Sequence, residues 1–373
     1  MRIAISRFFT LVVLLVSGLL AGCGGSCLGC GGDGGGPGAE PPPGTLPPPA
    51  AVMQSFAYVG ARGTETIDIY RIEDSGALVG VDAVSVGEGA RFVAIHPSNR
   101  FAYVANSGDN DISIFAIDPS TGRLSNRVDV AAGQSPRLIR IHPSGNFAYV
   151  TNFDDGTVSI YSIDAAGALT PAGTVLVGAE PSGIVIDPTG RFVFMQSAAG
   201  VESFSVGASG ALGPINNVAM AVPPSDIVLA PSGRFLYAAA ADGTVSRLSV
   251  HGTGALSFST AFTVGVAGAQ TIYIEPKGQF AYVTNSADNS IAAFGVHPLT
   301  GDFSPAGSAV SPGLSPGAVA MGSTGEYLYA SAQVDNTIAV YSVNQTTGAL
   351  TASGTHVSLD SLPVGITIAS FPR

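Results

Sequence analysis

The chain has 373 residues, a net charge of −11 and an apolar content of 46%. This apolar content excludes an intrinsically disordered chain, and the 49 glycines and 25 prolines favour a β-rich protein with many turns. Lys277 is the only lysine and the arginines form no cluster along the chain, so we expect no nucleic acid as a partner.

The first 22 residues have the features of an export signal. Arg2 and Arg7 make the start positive, and residues 8–20 are apolar but too few for an ordinary transmembrane helix. The segment ends in Leu20-Ala21-Gly22-Cys23, which resembles a bacterial lipobox, where a peptidase cuts before the cysteine and the thiol is lipidated. We predict a lipoprotein signal peptide at 1–22 and lipidation of Cys23, with a plain secretory signal as the alternative.

Export implies a location in the bacterial cell envelope, with the lipid anchor as the only membrane attachment. Gly24 follows the cysteine, where an aspartate would resemble an inner-membrane retention signal. We therefore expect the outer membrane, facing the periplasm or the cell surface. The mature chain would carry 13 basic and 26 acidic residues.

Residues 23–51 are rich in glycine and then in proline, so they cannot build a core. The segment contains Gly34-Gly35-Gly36-Pro37, Pro41-Pro42-Pro43 and Pro47-Pro48-Pro49, and we expect a flexible, then semi-extended tether. Cys27 and Cys30 form a Cys-x-x-Cys pair within it. Because no helix and no second pair accompany them, a local disulfide or a second acylation site is favoured over a redox or zinc site.

A phrase close to Phe-Ala-Tyr-Val recurs through residues 52–373. Its third residue falls at 58, 103, 149, 194, 237, 282 and 329, at intervals of 43 to 47 residues. A period in this range, carried by short strands, is typical of a β-propeller. We predict one all-β domain at 52–373, a seven-bladed β-propeller of four-stranded antiparallel blades, and we expect a monomer.

The second copy serves as the template for a blade. Its predicted strands are A at 91–95, B at 101–105, C at 112–117 and D near 124–128. Gly122 lies in the C–D hairpin, where a left-handed conformation is needed, and equivalent glycines stand at 76, 167, 210, 254, 301 and 348. Strand C is apolar on both sides, with Ile112 and Ile114 opposite Phe115 and Ile117, which predicts a neighbouring blade on each face.

The two ends of the repeat region complement each other. The first copy begins at strand B, at 55–59, whereas the last copy is followed by an isolated A-type strand at 364–369. We predict that this C-terminal strand completes the first blade and closes the ring, which removes two open sheet edges.

Two stretches carry a family resemblance, FAYVTNSADNSIAAF at 280–294 and IHPSGNFAYVTN at 141–152. They resemble the YVTN repeats of seven-bladed propellers of the lactonase type, related to 6-phosphogluconolactonase, over residues ~52 to 370. The resemblance implies lactone hydrolysis, with a Pro-His-x-His motif, an Asp-Leu-Gly loop and an Asn-Arg-Gly motif in the family's enzymes. This chain has Glu180-Pro181-Ser182-Gly183, Gln196–Gly200 and Asn285-Ser286-Ala287 at the corresponding places.

In a propeller, the B–C loops and D–A connections share one end of the channel, here called the loop face, and the A–B and C–D turns share the other, the turn face. We place no histidine on the loop face: His96 and His142 fall in A–B turns, His251 and His297 follow strand C, and His356 lies in the last strand D. The loop face instead carries many Asn and Asp residues, whose recurrence favours a structural role in the turns. Asp109-Asn110-Asp111 lacks the spacing of a calcium loop, so we predict no metal and no cofactor.

Residues that break the repeat are the best candidates for function. Arg137 and Glu180 precede A strands of adjacent copies, and Arg91 and Asp154 support them. A guanidinium can clamp a carboxylate or phosphate, and a nearby Glu can activate water against a ring ester; surface ion pairs of little consequence are the alternative. We predict a module that binds a small-molecule lactone or an envelope glycan or protein on the loop face, with a lactone hydrolase as the alternative.

Overall fold

The computed structural model describes residues 53–265, 268–360 and 362–372. The predicted signal peptide at 1–22, the lipidated Cys23 and the tether at 23–51, with Cys27 and Cys30, lie outside the described residues. Within the described ranges, 28 β-strands form seven four-stranded antiparallel sheets, and no helix there is long and apolar enough to cross a membrane. The predicted all-β, seven-bladed architecture is confirmed.

Each sheet is one blade with its strands in the order A, B, C, D. Blade 1 contains β28 (Leu362–Pro372), β1 (Met53–Arg62), β2 (Thr66–Ile72) and β3 (Leu78–Ser85), and blade 2 contains β4 (Ala90–Ile95), β5 (Phe101–Asn106), β6 (Asp111–Ile117) and β7 (Leu124–Ala131). Blade 3 contains β8 (Pro136–Ile141), β9 (Phe147–Asn152), β10 (Thr157–Ile163) and β11 (Leu169–Leu176), and blade 4 contains β12 (Ile184–Ile186), β13 (Phe192–Ser197), β14 (Gly200–Val206) and β15 (Leu212–Ala219).

The remaining three blades repeat the pattern. Blade 5 contains β16 (Pro224–Leu229), β17 (Phe235–Ala240), β18 (Thr244–Val250) and β19 (Leu256–Thr263). Blade 6 contains β20 (Ala269–Ile274), β21 (Phe280–Asn285), β22 (Ser290–Val296) and the short β23 (Phe303–Pro305). Blade 7 contains β24 (Pro316–Met321), β25 (Tyr327–Ala332), β26 (Thr337–Val343) and β27 (Leu350–Ser358).

The C-terminal strand closes the ring, as predicted. Strand β28 pairs antiparallel with β1, from Met53 opposite Pro372 to Arg62 opposite Leu362. The pairing extends beyond the predicted strand at 364–369. It joins the two ends of the propeller without a covalent bond and leaves neither strand with an unpaired edge on that side.

The core is divided among the junctions between blades, and seven apolar clusters correspond to the seven junctions. In strand β6, Phe115 and Ile117 belong to the cluster shared with blade 1, whereas Ile112 and Ile114 belong to the cluster shared with blade 3. The two-sided apolar pattern of strand C therefore reflects a neighbour on each face, as expected.

Tyrosines of the repeated phrase bond to hairpin glycines across the junctions. The hydroxyl of each donates to a glycine carbonyl in the next blade: Tyr58 to Gly122, Tyr103 to Gly167, Tyr149 to Gly210, Tyr237 to Gly301, Tyr282 to Gly348 and Tyr329 to Gly76, over 2.7 to 3.1 Å. These glycines have φ of +71° to +81°, as predicted for the hairpin. A methyl group on Gly122 would also lie 2.4 Å from the Phe56 ring of blade 1. Both the positive φ and the close Phe56 ring therefore favour glycine at this position.

Candidate functional site

Most acidic and amide side chains of the loop face hold the loops themselves together. Asp109, Asp155 and Asp335 each accept a backbone N–H from the D–A connection of the same blade, at 2.7 to 2.8 Å. Asp111 accepts the Asn106 amide at 2.6 Å. In the described ranges, no three His, Cys, Asp or Glu side chains are arranged to hold a metal ion. These residues therefore have the structural role that their recurrence favours.

Three arginines gather where blades 1, 2 and 3 meet the channel. Arg91 and Arg137 are each the second residue of an inner strand, β4 and β8, and Arg62 ends strand β1. Burial lowers the pKa of Arg91, and the charges of Arg137 and Arg62 lower it further. Neither Arg91 nor Arg137 has an ion pair within 4 Å among the described residues. The group therefore concentrates positive charge without a direct ion pair to Arg91 or Arg137 in the described part of the chain.

Arg137 also contacts an aromatic side chain. Its guanidinium carbon is 3.2 Å from the centre of the Phe153 ring, which is a cation–π contact. Burial lowers the pKa of Arg137, Arg62 lowers it further, and the carboxylates of Asp154 and Glu180 oppose this effect. Asp154 and Glu180 are both exposed. The structure thus brings all four predicted residues, Arg137, Glu180, Arg91 and Asp154, to one region of the loop face.

Two glycines of blade 1 position the backbone of Arg91. Gly60 and Gly365 are opposite each other in the ladder of β1 and β28. A methyl group on Gly60 would lie 2.1 Å from the Arg91 carbonyl oxygen, and one on Gly365 would lie 2.2 Å from the same atom. The inner strand of blade 2 therefore approaches blade 1 closely because neither position carries a side chain.

Neutral groups occupy the places where the family's enzymes have a histidine pair and an acidic loop. Gln196 is buried at the end of β13 and donates to Ser182 Oγ at 2.8 Å and to the Pro224 carbonyl at 3.0 Å. Neither Gln196 nor Ser182 titrates near neutral pH. Gln196 and Ser182 therefore supply no general base, and the carboxylates beside Arg137 are Asp154 and Glu180, the latter from the same stretch as Ser182.

The histidines lie away from the loop face, as predicted, but two of them are more than surface residues. His96 Nε2 in blade 2 lies 2.8 Å from the Gly145 carbonyl oxygen in blade 3. His142 Nε2 in blade 3 lies 2.8 Å from the Gly190 carbonyl oxygen in blade 4. Both residues are half-buried. They link consecutive A–B turns across the turn face.

Comparison with known proteins identifies the family. The family model described as Lactonase, 7-bladed beta-propeller matches residues 49–139, 129–216 and 242–364. The chain belongs to this family. No functionally curated protein is similar enough in sequence to match.

Solved structures agree on the fold. A candidate 6-phosphogluconolactonase from Bacteroides uniformis is 23% identical with a TM-score of 0.76, covering 85% of this chain and 99% of its own. The periplasmic gluconolactonase PpgL of Pseudomonas aeruginosa is 19% identical with a TM-score of 0.76, and the match covers 86% of this chain and 100% of PpgL. At these identities, the likeness to lactonase-type propellers establishes the fold alone.

Sequence reasoning missed two residues of this site, Arg62 and the Phe153 ring that contacts Arg137. Both stand four residues after the third position of the repeated phrase, in blades 1 and 3. The other copies have Ser, Ala or Gln at that position. An alignment of the seven copies that included this column would have flagged both residues as departures from the repeat.

Proposed function

We propose that this propeller is exported, anchored by lipid on Cys23, and binds a small acidic sugar on its loop face. The observation that carries the proposal is the convergence of Arg62, Arg91 and Arg137 with no ion pair within 4 Å for Arg91 or Arg137 among the described residues. Guanidinium groups bind carboxylates and phosphates through paired N–H donors, and such charge-assisted bonds are about twice as strong as neutral ones.

The neighbours of the arginines favour a ligand with hydroxyl groups. Asp154 and Glu180 present exposed carboxylate acceptors next to Arg137. A carboxylate accepts hydrogen bonds from hydroxyl groups and repels a second anion, so the pair would orient a sugar acid with its acidic end towards the arginines. Such a ligand can be free, or it can be the acidic residue of an envelope glycan.

A lactone hydrolase is the second candidate, and Glu180 favours it. Its carboxylate is exposed and close enough to Arg137 to oppose the lowering of the Arg137 pKa. Its carboxylate could activate a water molecule against a ring ester, while Arg137 stabilises the negative charge that develops on the carbonyl oxygen.

Binding and turnover measured on the same variants separate the two candidates. We expect gluconate to bind the purified protein in isothermal titration, and Arg137→Gln to weaken binding about tenfold or more. Arg234→Gln is the matched control because Arg234 also lies over a phenylalanine ring, Phe235 at 5.4 Å, but on the turn face. An equal loss of gluconate affinity in both variants, or an unchanged affinity in Arg137→Gln, contradicts the proposed site.

Hydrolysis is followed with gluconolactone and its 6-phosphate, after subtraction of spontaneous ring opening. If Glu180→Gln abolishes turnover but retains gluconate binding, the protein is a hydrolase with Glu180 as its base. If the wild-type protein binds gluconate without turnover, the binding function holds alone. Detergent extracts of cell envelopes, passed over immobilised wild-type and Arg137→Gln protein, test the glycan source.

A further inference from the structure

The channel contains a cavity at the end opposite the loop face. It has a volume of about 270 Å³ and is lined by the inner strands of blades 3, 4 and 5. Ile141, Ile186 and Leu229 are the last or nearly last residues of those strands, and Pro143 belongs to the following A–B turn. The cavity therefore opens towards the turn face and is separate from the arginine group.

The walls of the cavity are aliphatic except for one cation. Val185, Val228 and Leu229 are among the lining side chains, and Arg140 is the single charged residue that the described part of the chain contributes to the lining. Arg140 lies opposite Tyr149 in the ladder of blade 3. The residues at the equivalent place in the other blades are uncharged: Thr367, Ala94, Val185, Val228, Tyr273 and Ala320. Arg140 is thus a departure from the repeat inside the channel.

The guanidinium of Arg140 has little compensation from the protein. Its hydrogen bond in the described part of the chain is a long one, 3.5 Å from Nη1 to the Ile139 carbonyl, and no ion pair within 4 Å includes it there. Asp226 attracts it, but the Asp226 carboxylate accepts the N–H groups of Ile227 at 2.9 Å and Ile272 at 3.0 Å. Burial lowers the pKa of Arg140, which is the effect of a desolvated cation that an anion would stabilise.

The geometry points to a second ligand site in this cavity, for a medium-chain monocarboxylate whose carboxylate pairs with Arg140 and whose alkyl chain lies against Val185, Val228 and Leu229. One guanidinium matches one carboxylate, and the apolar walls offer no further donors for a phosphate dianion. The volume lies near the lower limit for ligand pockets, which restricts the ligand to a single chain of medium length. This site does not depend on the function proposed for the loop face.

Isothermal titration of the purified protein with octanoate, octanamide and inorganic phosphate tests the site. We expect octanoate to bind saturably, and octanamide and phosphate to bind about tenfold or more weaker, because only octanoate has both the charge and the chain. Arg140→Gln should weaken octanoate about tenfold or more, and Arg140→Lys should recover part of the loss. Arg234→Gln is the matched control and should leave octanoate binding unchanged.

A second variant keeps the test decisive if Arg140→Gln does not fold. Val185→Phe retains the guanidinium but fills the space beside it, so it should also abolish octanoate binding while its thermal unfolding remains cooperative. The inference is wrong if wild-type protein does not bind octanoate at millimolar concentration, if phosphate or octanamide binds as tightly, or if a folded Val185→Phe or Arg140→Gln variant binds octanoate as the wild type does.

Discussion

A buried tyrosine hydroxyl reaches into the next blade at six of the seven junctions, and this one bond explains much of the repeat. The phenylalanine of the phrase packs against the same hairpin glycine whose carbonyl accepts the tyrosine hydrogen bond. In blade 1, for example, the Phe56 ring lies against Gly122 and the Tyr58 hydroxyl donates to the Gly122 carbonyl. Burial raises the pKa of Tyr149 to about 12, so the hydroxyl stays a donor over the physiological range. In blade 4 the tyrosine is replaced by Phe194, which has no hydroxyl.

The inter-blade hydroxyl predicts opposite effects for two substitutions. Tyr103→Phe should lower the free energy of unfolding by about 1 kcal/mol because the Gly167 carbonyl loses its donor in a buried place. Phe194→Tyr should raise it by a similar amount by adding the bond that blade 4 lacks. Tyr327→Phe is the control, since its hydroxyl is exposed and 3.4 Å from its acceptor. Urea unfolding measures all three, and equal effects of Tyr103→Phe and Tyr327→Phe would refute the argument.

Asp226 predicts a pH dependence of stability. Burial raises its pKa to about 6, although the N–H groups of Ile272 and Ile227 and the charge of Arg140 oppose the shift. The folded protein therefore binds this proton more tightly than the unfolded chain. The stabilisation is complete below the unfolded pKa near 3.8 and is lost as the pH rises through about 6.

Asp226→Asn should remove that dependence. Between pH 4 and pH 7 the wild type should lose stability relative to the variant, by on the order of 2 kcal/mol. Urea unfolding of both proteins at several pH values measures the difference. A difference that stays constant across this range would mean that Asp226 titrates normally.

At the scale of an element, strand β28 closes the ring by pairing with β1. It contributes the inner strand of blade 1, and Phe371, which is fully buried, packs against Phe56 with ring centres 5.8 Å apart. Without it, the ladder groups of β1 and the apolar surface of blade 7 would both face solvent.

Deletion of residues 361–373 should open the ring and lower the Tm by more than about 10 °C, or cause aggregation. Phe371→Ala isolates the packing contribution and should cost about 3–5 kcal/mol, whereas Pro372→Ala, at an exposed position, should change little. Thermal unfolding and size-exclusion chromatography measure these effects. An unchanged Tm after the deletion would show that β28 does not close the propeller.

At the scale of the whole molecule, the proposed lipid anchor predicts where the protein is found. Cys23→Ala should move the protein from the membrane pellet to the soluble fraction of a bacterial host, because the thiol that accepts the lipid is gone. Cys27→Ala is the control and should remain in the pellet. Cys23→Ala protein that still sediments with membranes would argue against the anchor.

The sequence alone predicted the blade number, the strand order and the ring closure, since each follows from a repeated local pattern of strands, turns and glycines. It also singled out Arg137, Arg91, Glu180 and Asp154 as candidates, because they interrupt that pattern near the loop face. It did not find the tyrosine-to-glycine bonds, because each joins residues of two different blades, 61 or more positions apart.

The proximity of Arg62 to Arg91 and Arg137, and the place of Arg140 in the channel wall, emerged only with the tertiary structure. Repeat spacing tells which end of a blade a residue occupies. It does not tell which side chains of different blades converge, because that depends on how closely neighbouring blades pack, as where Gly60 and Gly365 admit the backbone of Arg91. Charge clusters made by several blades are therefore a property of the closed ring.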